Sequence, residues 1–64
     1  MKEVYKEEFW LFIRKYSDYK RSMVNAAEPP FLLFIDTKTN TRIGKIVYCA
    51  DKTRFYIMEE CNDI

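Results

Sequence analysis

Between Tyr5 and Met23 the large apolar residues recur at helical intervals. Tyr5, Phe9, Phe12, Tyr16, Tyr19 and Met23 are separated by four, three, four, three and four residues. That spacing lines them up on one stripe of an α-helix. Glu3, Glu7, Arg14, Asp18 and Arg21 fall roughly opposite. The pattern predicts one long amphipathic helix over about 3–26. Glu3, Glu7 and Glu8 near its start and Lys20 and Arg21 near its end suit the helix dipole. Pro29-Pro30 forces an exit, because the residue before a proline is pushed out of the α region. Two residues leave the stripe. Leu11 lies on one flank, and Trp10 projects about 140° from the stripe centre, where it is a candidate exposed anchor for a partner.

After the prolines the pattern shortens to runs of strand length. FLLFID at 31–36 is too short for a helix and rich in branched and aromatic residues, so it reads as a strand. The polar segment 36–41 is a turn without glycine, in which Asn40 is the residue best able to take a left-handed conformation. RIGKIVYCA at 42–50 reads as a second strand, in which Gly44 marks a bulge or a close crossing of the helix. Asp51, Lys52 and Thr53 turn the chain, and 54–60 reads as a third strand. The expected fold is therefore α+β over 1–64 as a single small domain. One long N-terminal amphipathic helix packs on a three-stranded antiparallel meander.

That arrangement leaves a surplus. The first strand is apolar on both faces, and the second and third nearly so. A sheet with one face in water normally alternates cleanly. One helix about 10 Å across covers one face only. Another molecule is therefore expected on the second face, which is the leading functional clue. The expected contacts are Trp10 together with Leu32, Phe34, Tyr48 and Tyr56, or the residues alternating with them along the strands. An outer strand adding to a partner's sheet edge is a second way to the same end.

Composition narrows the class. With 48% hydrophobic, 17% aromatic and 33% charged residues the chain is globular rather than disordered. A chain of 64 residues buries only about 60% of its unfolded surface, so a partner would add security. The formal net charge is +1 and the apolar runs are far too short to cross a membrane, which fits a cytoplasmic protein. There is no histidine, and Cys49 and Cys61 lack metal-ligand spacing, so no metal or cofactor is expected. The same absence removes the commonest general base, and a single glycine cannot build a phosphate loop. The protein is not expected to be an enzyme.

The leading expectation is a non-catalytic protein-binding module, of the kind phages encode to inhibit or modulate a host enzyme or defence system. One alternative is nucleic-acid binding. Lys38, Arg42, Lys45, Lys52 and Arg54 stand against Asp36 and Asp51, a local surplus of five minus two, and Tyr48, Phe55 and Tyr56 lie among them. The simpler account of those cations is a solvated hairpin whose lysines guard its edges. A second alternative is an obligate homodimer whose surplus apolar face is its own interface.

Overall fold

The computed structural model describes residues 1–59. The chain forms strand β1 (Lys2–Val4), helix α1 (Lys6–Ile13) and strands β2 (Tyr19–Val24), β3 (Phe31–Asp36), β4 (Thr41–Tyr48) and β5 (Thr53–Ile57). All five strands join one antiparallel sheet in the order β1-β5-β4-β3-β2. The expected fold of a long helix on a three-stranded meander is overturned. The helix has eight residues, and the second half of the expected helix is an edge strand. The three expected strands are the middle of a wider sheet, flanked by β1 and β2.

The physical reason lies in the spacing. Four residues is a helical interval, but it is also an even number, so Tyr19 and Met23 share a face of a strand as readily as a stripe of a helix. The true helix stripe is Phe9, Phe12 and Ile13, all buried. Tyr5 sits outside it as the residue before the helix, 83% exposed. Beyond Ile13 come Ser17 and Asp18, whose side chains compete with the backbone for hydrogen bonds and favour turns over helix interiors. The Thr37 N–H donates to the Asp18 carbonyl at 3.3 Å, tying this turn beside the β3–β4 hairpin.

The core lies between α1 and one face of the sheet. Phe9, Phe12 and Ile13 from the helix meet Phe34, Ile43, Ile46 and Ile57 from the strands. Phe9 is its centre, with ring centroids 5.3 Å from Phe34 and 5.4 Å from Phe55. Full burial of one such ring contributes about 1.5–3 kcal/mol, so these few side chains carry much of the stability of so small a chain. Gly44 lets the helix approach. The β3–β4 register shifts between Phe34 and Ile35, so Phe34 pairs with Gly44 and Ile35 with Arg42, leaving Ile43 as the extra residue of a bulge. Both readings of Gly44 from the sequence, a bulge and a close crossing, therefore hold at one place.

The β3–β4 turn is built by its own side chains. Asp36, though buried, accepts from the Lys38 N–H at 3.2 Å and from the Thr39 hydroxyl at 2.9 Å. The Asn40 N–H donates to the Asp36 carbonyl at 2.8 Å, and Asn40 takes φ 58° as expected.

Candidate functional site: the open face of the sheet

Side chains alternate across a sheet, so the register fixes which residues share each face. The helix side carries Tyr19, Arg21 and Met23 from β2, Leu32 and Phe34 from β3, Gly44, Ile46 and Tyr48 from β4, and Phe55 and Ile57 from β5. The opposite side carries Lys20, Ser22 and Val24, then Phe31, Leu33 and Ile35, then Arg42, Lys45 and Val47, then Arg54 and Tyr56, with Glu3 from β1. Among the described residues no helix or further strand lies over this second face.

Its centre is apolar and half-buried. Phe31, Leu33, Ile35 and Tyr56 retain partial exposure, and Val47 is nearly covered by its neighbours. Four strands of about six residues, spaced about 4.8 Å apart, give a face roughly 20 Å by 20 Å, or about 400 Å² with its charged and polar positions included.

Lys45 sits in the middle. Its ammonium lies 5.4 Å from the Phe31 ring centroid and 5.3 Å from that of Tyr56. The ring quadrupoles hold it there by cation–π attraction. Among the described residues it has no ion-pairing carboxylate. Lys20 and Arg42 have none either. Arg54 differs. It donates to both Glu3 carboxylate oxygens at 3.3 Å and lies 3.6 Å from Asp51. Glu3 raises the Arg54 pKa, with partial desolvation opposing and the Cys49 thiol and Asp51 adding to the rise. Among the described residues the face therefore carries four cations and one anion, and the anion is already paired with Arg54.

The expected contact residues are divided by this geometry. Tyr56 is on the open face. Leu32, Phe34 and Tyr48 are on the helix side. Phe34 is fully buried in the core and is not available to a partner. Leu32 packs partly against the core, and Tyr48 is 40% exposed at the end of β4. Trp10 is half-buried, edge-on to Phe9 at 5.0 Å and to Phe34 at 5.9 Å, so much of its ring completes the core. Its remaining surface lines a shallow groove with Lys6, Glu7, Leu11 and Arg14. The residues that form the open face are the alternates of the expected set: Phe31, Leu33, Ile35 and Val47. The apolar alternation of 31–36 held both options, and only the position of the helix chooses between them.

The basic residues divide as well. Arg42, Lys45 and Arg54 share the open face, whereas Lys38 and Lys52 are exposed in the turns at opposite ends of β4. Of the two cysteines, Cys49 is a half-buried free thiol, and Cys61 lies outside the described residues, as do positions 60–64 of the expected third strand and tail. Among the described residues no group of His, Cys, Asp or Glu is placed to hold a metal ion. Among the described residues no helix is long and apolar enough to cross a membrane.

Comparison with known protein families, with curated proteins and with solved structures finds no match to this chain.

Proposed function

We propose that this protein is a non-catalytic interaction module that binds another protein through the open face of its sheet. One observation carries the reading. Phe31, Leu33, Ile35, Val47 and Tyr56 surround Lys45 on the side of the sheet away from the helix, most of them half-buried. A rimmed apolar patch of this kind is characteristic of interaction surfaces. The role that follows is modulation of a partner in the cytoplasm by contact alone. The form of that role read from the sequence is inhibition or modulation of a host enzyme or defence system, and contact through one small sheet face is compatible with it. Site-specific photo-cross-linking tests it. A photoreactive residue at Leu33 should capture a partner in cells that make the protein, whereas one at Lys38, in the turn, should not. Equal yields from both positions would count against the open face.

A second reading has a specific observation in its favour. Arg42, Lys45 and Arg54 lie on one face with Tyr56, and a basic sheet face carrying aromatic rings is how many modules hold single-stranded nucleic acid. Phosphate contacts would make affinity fall steeply with salt, whereas an apolar protein contact changes little.

A further inference from the structure

The open face has a chemical polarity as well as an apolar centre, and that polarity specifies what it takes. Lys20, Arg42 and Lys45 meet no carboxylate among the described residues, and the single acid on the face, Glu3, is engaged with Arg54. Lys45 is half-buried as a residue, and its ammonium is held at 5.3–5.4 Å from two ring centroids. Rings attract a cation but do not neutralise it. An anion brought to this point would meet a charge already positioned, with little side-chain entropy left to lose.

We propose that the occupant of the open face is an acidic segment of a partner protein. A carboxylate on that segment meets Lys45, and apolar side chains beside it rest on Leu33, Ile35 and Val47. This rests on the reading of the open face as the interaction surface. Three considerations select this occupant. A second copy of the chain would set the same cations against themselves, and like charges juxtaposed across an interface oppose association. A face of about 400 Å² is also half of the roughly 800 Å² per partner that a standard stable interface buries, which suits a segment better than a second globular copy. Nucleic acid would need the ring faces of Phe31 and Tyr56 for stacking, but Lys45 lies over both, and the rest of the centre is aliphatic.

The test is a random-peptide display selection on the immobilised full chain, with the selected peptides and an oligothymidylate then titrated against variants. The expected peptides carry Asp or Glu beside an aliphatic or aromatic residue. Their affinity should fall at least about tenfold with Lys45→Glu, as for loss of a close charge pair at an interface. It should fall less with Lys45→Met, which keeps the packing. Arg42→Glu, at an exposed position, gives a second charge reversal that leaves the core untouched. Peptides that are neutral or basic, lost with Leu33→Asn but indifferent to Lys45→Glu and Arg42→Glu, would overturn the acidic partner and leave the open face standing. Peptides indifferent to Leu33→Asn as well would overturn both. Tighter, Lys45-dependent binding of the oligothymidylate than of any peptide would replace the acidic segment with nucleic acid.

Discussion

Gly44 and Phe9 meet so closely that a side chain at Gly44 would press its neighbours aside. A Cβ on Gly44 would stand 3.0 Å from Phe9 Cε1 and 3.0 Å from the Tyr56 carbonyl oxygen. The ring has some freedom to yield, but the carbonyl belongs to the neighbouring strand and does not. Gly44→Ala should therefore destabilise the chain by about 1–3 kcal/mol, the usual cost of overpacking. Each kcal/mol corresponds to about 4–8 °C in Tm for a domain of this size. Thermal or urea unfolding reads this directly. An unchanged midpoint would mean that the ring and the β5 backbone both yield by the few tenths of an ångström a methyl group needs.

The eight-residue helix divides its own side chains sharply. Phe9 is fully buried and touches three other rings, whereas Leu11, two residues on, is 62% exposed. Phe9→Ala should cost about 3–5 kcal/mol, as for other aromatic truncations in a core. That approaches the whole stability of a small domain, so the variant should be largely unfolded at ambient temperature. Leu11→Ala should stay within about 0.5 kcal/mol of the parent. Circular dichroism of the two variants compares them. Equal losses would show that the helix is rotated from the orientation described.

The edge strand β2 gives a test that separates strand from helix. In an antiparallel edge strand alternate amides point to the neighbour and the rest point to water. Amide exchange across Tyr19–Val24 should therefore alternate between slow and fast. Continuous protection from residue 14 to 24 would restore the long helix.

This segment is also where the sequence was least legible. The spacing from Tyr5 to Met23 satisfies a helical period throughout, yet only Phe9, Phe12 and Ile13 use it for burial. Tyr19 and Met23 fit equally well as alternate residues of a strand, and they pair across to Asp36 and Leu32. Ser17 and Asp18 were the signal for a break. β1, three residues long, is too short to display any period, and its place is set by pairing with β5. The stretch from Phe31 to Ile57 was clearer, because its runs are short and bounded by polar turns, and Asn40 and Gly44 carry their backbone roles in their side chains or lack of one. That 31–36 is apolar on both faces, so that one face makes a surface away from the helix, was legible too. Which alternate residues of 31–36 form that surface was not, because it depends on where the helix lies.

The β3–β4 turn should be sensitive to Asn40 in one direction only. A branched residue at φ 58° is strained, so Asn40→Val should cost about 1–2 kcal/mol. Asn40→Gly should be neutral within a few tenths of a kcal/mol, since glycine enters that region freely but gains entropy in the unfolded chain. Urea midpoints for the pair give the answer. Tolerance of valine would contradict the left-handed turn.

The account depends most on one side of the sheet being bare, and solvent paramagnetic relaxation reads that residue by residue. With a soluble paramagnetic agent and dilute protein, the methyl signals of Leu33 and Ile35 should be strongly broadened, while those of Ile13 and Ile43, fully buried in the core, should be spared. If Leu33 and Ile35 proved as protected as Ile13, the open face would not exist in solution, and the binding surface assigned to it would go with it.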